Sequence, residues 1–298
     1  MSGDLSPKAL VEVRDALEAF HRESSSFTNR HGPHAASKSP FADDVIAFPR
    51  SESVHTVYGQ SVTLIEITAD HLTAFRKLIS EPLETIAPWT CARIVLDAAS
   101  LAAWIVQPGI DAKERVGRSL ALRYEGLSEQ VKWARAVGPK NPDVDPQVAV
   151  DRIAEVTADA SRLGFDPVRD RNGRQIGIGR RMPSVTERVR DVLDQEDMYR
   201  LLSAITHGHF WATNQAGFEV LGPIGTTADG ARLRAMTKAV NPSGMLYLAA
   251  GIALAFGRAT WSHCLYAGWN RKELAEMLAE LFRRLEIRDR YWFWHKGS

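Results

Sequence analysis

The chain reads as an all-α protein: a multi-helix bundle with a short hairpin or irregular insertion near residues 165–182 and a loop-rich N-terminal arm. Three observations predict this. Apolar residues recur at 3.6-residue spacing over most of the chain from Pro88 onward. Capping residues stand where those runs begin, as at Asp111 and Asn270. The helical pattern breaks over Phe165 to Met182, around Asn172-Gly173, a dipeptide that favours a tight hairpin turn.

In chain order, Ser6-Pro7 is a helix start, a capping hydroxyl followed by proline in the first turn, and Leu10, Val13, Leu17 and Phe20 follow at helical spacing. From Ser24 to about Gln60 the pattern dissolves into Ser, His, Pro and Asn, with apolar islands such as Val45-Ile46, which predicts a long loop or arm. Val62 to Ile67 alternates weakly, as a short strand does. Asp70 then caps a helix carrying Leu72, Phe75, Leu78 and Ile79. Residues 1–87 thus read as an N-terminal helix, an arm and a short helix, and residues 88–298 as the bundle domain.

Trp89 to Val106 is apolar almost all round and predicts a central helix. Asp111 and Glu114 cap a helix running to about Val137, with an inward stripe of Val116, Leu120, Leu127, Val131 and Ala134. Arg123 falls within that stripe. A further helix ends at Leu163-Gly164, and after the 165–182 excursion helices resume near Ser184. Past a Gly-rich connection from Gly217 to Gly230, Ala231 to Ala239 reads as one more short helix. Asn241-Pro242 opens a long buried helix to Ala267 whose Ala and Gly residues permit close helix contact. Asn270 and Glu273 open the last helix, and the terminal Tyr-Trp-Phe-Trp-His segment is expected to dock on the bundle. No internal repeat or heptad run is visible.

The net charge of +1 in 298 residues argues against a general polyanion binder, so any nucleic-acid surface must be local. The two cysteines, Cys91 and Cys264, lie in apolar helical contexts, which suits a reducing cytoplasm. The longest apolar run, Met245 to Phe256, is too short to span a bilayer, so no membrane partner is expected. No cysteine pair has zinc spacing, and His31 and His34 lie in the loose arm; neither a metal nor a cofactor is expected.

Three groups of residues carry possible chemistry. Arg200 and His207 stand seven apart in Tyr199–Trp211, so on one continuous helix they share a face, with Ser203 in the same run and Trp211 a turn beyond. Arg93, Asp97 and Ser100 form one stripe on the central helix, facing Arg123. They form either a phosphate-binding pocket or, as the commoner arrangement, an internal ion-pair network in which Asp97 pairs with Arg123 or Arg93. Between Asp166 and Arg190, seven arginines face three acids. Arg171, Arg174, Arg180 and Arg181, with Arg169, suit phosphate contacts, or form a solvated loop.

The run Tyr-x-x-Leu-Ser-x-x-x-His-Gly around Arg200 and His207, following a central helix of the Arg-x-x-x-Asp type, resembles HEPN-like helical domains of bacterial uncharacterised and abortive-infection proteins, over about residues 88–267. Spacing alone does not carry the resemblance, because Arg14/His21 repeats it. The chain departs from RNase-active members in having Leu201 directly after the arginine, where they carry Asn, Asp or His. The resemblance implies a metal-independent endoribonuclease of a defence or toxin type. His207 would be its base, Arg200 its charge stabiliser, RNA its partner, and a homodimer would form through the Arg200/His207 face. The rival reading is a non-catalytic helical module that binds a partner protein or a nucleotide-like ligand.

Overall fold

The computed structural model describes residues 7–31, 35–49, 51–141 and 143–287. The elements run α1 (Pro7–His31), α2 (Pro40–Ala47), α3 (Glu52–Leu78), α4 (Ala87–Ile105), α5 (Ala112–Val137) and α6 (Pro146–Arg162). A hairpin of β1 (Pro167–Arg169), β2 (Gln175–Ile178) and β3 (Arg180–Arg181) follows. Next come α7 (Val185–Arg188), extended by a π-helical turn at Val189–Leu193, then α8 (Glu196–Thr206), α9 (Phe210–Gly217), β4 (Phe218–Thr226), β5 (Arg232–Lys238), α10 (Pro242–Ala267) and α11 (Arg271–Arg284). The described residues form a helical bundle with two small, unclosed antiparallel sheets, ordered β1-β2-β3 and β4-β5.

The central helix forms as its composition demands. Ala92, Val95, Leu96, Ala99, Ala102, Ala103 and Ile105 of α4 are all fully buried, and α4 packs on α3, α8 and α10. The long apolar helix α10 is buried along most of its length, and Asn241 accepts a hydrogen bond from the Gly244 amide at its start. Small residues admit close neighbours there. A Cβ on Gly244 would meet the Trp89 ring at 2.9 Å, and one on Gly251 the Met198 side chain at 2.2 Å. Asp111 and Asn270 cap α5 and α11 as expected, accepting from the amides of Glu114 and Glu273. Ser6, and the aromatic segment expected to dock at the C-terminus, lie outside the described residues, as does His34.

The N-terminal arm is helical rather than loop-rich. Phe27 is fully buried and carries α1 on to His31, and α2 and the 27-residue α3 fill the region read as a loop and a strand. The buried face of α3 runs Val54, Val57, Tyr58, Ser61, Ile65, Thr68, Leu72, Phe75, which is helical spacing with two polar members. Thr68 satisfies its hydroxyl on the Leu64 carbonyl and Ser61 on the His263 ring, so both sit in the core without loss. Asp70 lies inside α3, exposed, and caps nothing. These side chains join one buried cluster with α4 and α10.

The second correction is at Ala231–Ala239, which is strand β5 and not a helix. β4 and β5 form a ribbon closed by a turn through Asp229-Gly230, with Gly230 at φ 86°. The third is the Tyr199–Trp211 run. α8 ends at Thr206, Gly208 takes φ 71°, and α9 starts at Phe210, so Trp211 does not continue the face of α8.

Candidate functional site

The residues singled out from sequence separate into a surface and a cleft. The surface holds Arg200 and His207. Arg200 is exposed and its guanidinium bonds Glu196, one turn back, at 2.6–2.8 Å. His207 caps the C-terminus of α8, exposed, and among the described residues no protein group bonds its ring. Phe210 and Trp211, 70% and 56% exposed, follow directly. Ser203 is half-buried on α8.

The cleft lies between α5, the three-stranded hairpin and the segment entering α7, with a volume of about 520 Å³. Asp97 comes from α4; Tyr124, Glu125 and Lys132 from α5; Arg174 and Arg181 from the hairpin; and Arg188 from α7. Gly173 at φ 76° turns the hairpin, and Asp170 accepts the Asn172 and Arg174 amides, so the turn is set by local bonds. The Tyr124 hydroxyl donates to the Gln175 carbonyl at 2.6 Å and fastens β2 to α5. Ser184 and Glu187 form a reciprocal capping box that starts α7 and aims Arg188 inward.

Arg188 is the member that sequence reasoning placed only in a charge run. It is 5% exposed, donating to Asp97 at 2.8 Å and to the Pro183 carbonyl at 2.7 Å, and its buried Nε has no hydrogen-bond partner among the described residues. Burial pushes its pKa down and the Asp97 charge opposes that. The expected pairing of Asp97 with Arg123 or Arg93 is therefore corrected: the partner is Arg188. Arg123 is exposed, because α5 meets α2, α3 and α4 as well as α6 and the hairpin, so its burial follows its neighbours rather than one stripe. The buried arginines of α5 are instead Arg115 and Arg118, in its first turns. Arg93 lies over the Tyr199 ring at 5.7 Å, and Ser100 is buried, bonding the Asp97 carbonyl of its own helix.

The hairpin arginines divide by role. Arg180 bonds Glu114 and lies 5.4 Å from the centre of the Trp104 ring, whose indole also meets Arg118 at 5.1 Å. It anchors the hairpin to the bundle. Arg171 sits exposed at the turn, and Arg169 donates to the Gly173 carbonyl. Arg174 and Arg181 line the cleft, exposed, and among the described residues neither has an ion-pair partner. Lys132 bonds Glu129, whose hydrogen bond and charge raise its pKa. Four cations and two carboxylates, Asp97 and Glu125, therefore line the cleft; Lys132 is paired with Glu129 and Arg188 with Asp97, and the charges of Arg174 and Arg181 stay uncompensated by an ion pair among the described residues. Such an arrangement is suited to holding an anion.

Comparison of the chain with protein-family models, with curated proteins and with solved structures finds no match. Among the described residues no group of three or more His, Cys, Asp or Glu side chains is placed to hold a metal ion. Among the same residues no helix is long and apolar enough to cross a membrane.

Proposed function

We propose that this protein is a helical module that binds a phosphate-bearing, nucleotide-like ligand in the cleft between α5 and the hairpin. The observation that carries this reading is the convergence of Lys132, Arg174, Arg181 and Arg188 on one cleft, with Arg174 and Arg181 unpaired among the described residues. A cleft of about 520 Å³ also suits a small ligand. Arg188 sets the floor through Asp97, and the two exposed arginines supply the forked donors that phosphate oxygens accept. Isothermal titration with nucleoside triphosphates and with pyrophosphate tests the proposal. The Arg174→Ala/Arg181→Ala protein should bind at least tenfold more weakly, since each charge-assisted bond contributes about 1.5–3 kcal/mol. Unchanged binding in that variant, or no binding by the wild type, removes the reading.

A second reading is favoured by the exposed His207 ring, unbonded among the described residues, at the end of the helix that carries Arg200: a HEPN-like, metal-independent endoribonuclease. His207 would take the proton of an RNA 2′-hydroxyl, and Arg200, released from Glu196, would stabilise charge on the phosphorane. Phe210 and Trp211, exposed in the first turn of the following helix α9, offer apolar surface for a second copy. Cleavage of mixed RNA in EDTA, wild type beside His207→Ala, tests it. Loss of cleavage in a variant that still folds supports the nuclease, and equal cleavage excludes it.

A further inference from the structure

The ribbon of β4 and β5 carries a charged face that neither the cleft nor the Arg200/His207 surface uses. Its strands pair from Phe218↔Lys238 to Thr226↔Arg232. Side chains alternate along a strand, so Arg232, Arg234, Met236 and Lys238 share one face. The residues directly opposite the three cations are Thr226, Pro223 and Phe218, none of them acidic. Glu219 pairs with Thr237 on the other face, and Asp229 at the turn accepts from the Thr227 hydroxyl. All three cations are exposed and, among the described residues, have no ion-pair partner. In a chain of net charge +1, this is a local concentration of unpaired positive charge on a slender element.

We propose that this face of the ribbon docks in the major groove of duplex DNA. The B-form major groove is about 12 Å wide and admits a two-stranded ribbon, whose strands lie about 4.8 Å apart. The major groove of A-form RNA is deep and narrow and excludes such an element, so the shape selects DNA over double-stranded RNA. Arg232 and Arg234, two residues apart, are spaced about 6.8 Å along the strand, and Lys238 lies nearer the root, so the row runs along the ribbon. Register shifts at Leu221 and Ile224 add extra residues to β4, and such bulges bend and twist a ribbon, as a groove-following element requires. The contact is electrostatic, hence sequence-tolerant and salt-sensitive.

The test uses the full chain and a fluorescein-labelled DNA duplex of about two helical turns, with anisotropy followed over about 50–200 mM salt. Replacing all three cations (Arg232→Ala, Arg234→Ala, Lys238→Ala) should reduce the slope of log affinity against log salt by about 2.7, at about 0.9 per phosphate contact. Affinity at the lowest salt should fall at least tenfold. The variant Arg232→Lys/Arg234→Lys keeps the charge and should keep the slope. Double-stranded RNA of the same sequence should bind at least tenfold more weakly than DNA. An unchanged melting temperature confirms that the triple variant is folded, and Arg174→Ala/Arg181→Ala should leave the slope intact, which separates this proposal from the cleft. Several results overturn it: no salt-dependent binding by the wild type, an unchanged slope in the triple variant, or equal binding of RNA. Self-association through the ribbon without DNA binding, seen by sedimentation and lost in the triple variant, also overturns it and makes a second copy the occupant.

Discussion

Arg115 and Asp44, 71 residues apart, form a two-point buried ion pair: Nε donates to Oδ2 at 2.7 Å and Nη2 to Oδ1 at 2.6 Å. Asp44 is wholly buried and Arg115 is 7% exposed, with the Tyr266 ring 5.3 Å from the guanidinium. Burial lowers the Arg115 pKa, but the Asp44 hydrogen bond and charge outweigh it, so the net shift is upward. The pair ties α2 to α5. Removing one partner leaves a buried charge alone, so Asp44→Ala or Arg115→Ala should lower the unfolding free energy by about 3–5 kcal/mol in urea titrations. A loss under about 1 kcal/mol would mean that α2 is not held by this pair.

Asp97 and Arg188 are coupled differently, because the Asp97 side chain is 39% exposed on the cleft. Asp97→Asn keeps an acceptor for Arg188 but removes a negative charge from the anion site. Stability should drop by about 1 kcal/mol, while pyrophosphate should bind a few-fold more tightly in titration calorimetry. Weaker binding would instead show that Asp97 itself contacts the ligand.

The hairpin that carries Arg174 and Arg181 depends on a glycine. A Cβ on Gly177 would lie 2.2 Å from the Arg180 carbonyl oxygen, with backbone rather than a side chain in the way. Gly177→Ala should therefore cost at least about 1–3 kcal/mol and weaken ligand binding with it. Gly126, within α5 and with open space around it, is the control: Gly126→Ala should stabilise by about 0.4–1 kcal/mol. Thermal melts of both variants decide the matter.

His263 makes the fold sensitive to acid. It is fully enclosed, its Nδ1 lies 3.1 Å from the Ser61 hydroxyl, and the rings of Tyr58 and Trp269 pack at 4.8 and 4.9 Å. Burial pushes its pKa down to about 3. The unfolded chain, with an ordinary histidine value of about 6.5, then binds the extra proton as pH falls. The contribution of neutral His263 is complete above that pH and is lost progressively as the solution is acidified toward pH about 3. Unfolding free energies measured between about pH 6 and pH 4 should fall by up to 1.4 kcal/mol per unit in the wild type. In His263→Gln that component should vanish, and an equal slope in both proteins would assign the acid sensitivity elsewhere.

Helices with long apolar faces were legible in the sequence, and for α5, α10 and α11 a capping side chain also marked the start. α4, α5, α10 and α11 follow from Val95, Leu96, Leu248 and Leu274 at helical spacing and from Asp111, Asn241 and Asn270 at their starts. The hairpin turn at Asn172-Gly173 was equally legible, because only a few backbone conformations suit that dipeptide. The β4–β5 ribbon was present too, in the alternation of Arg232 to Lys238 and in Asp229-Gly230, but its Ala, Leu, Arg and Met content favours helices and masked it.

Tertiary structure decided what depended on partners distant in the chain. Ser61 and Thr68 are polar, yet they lie on the buried face of α3 because the His263 ring and the Leu64 carbonyl satisfy them. Asp44 read as a loop carboxylate, yet it is wholly buried because Arg115 meets it with two bonds. Arg123, on the predicted stripe, is exposed, and Arg188, seen only as one of many arginines, pairs with Asp97 and floors the cleft. Periodicity records the average polarity of a face. Whether a charge or hydroxyl lies inside is fixed by whether another element supplies its counterpart, and that is known only once the elements are packed.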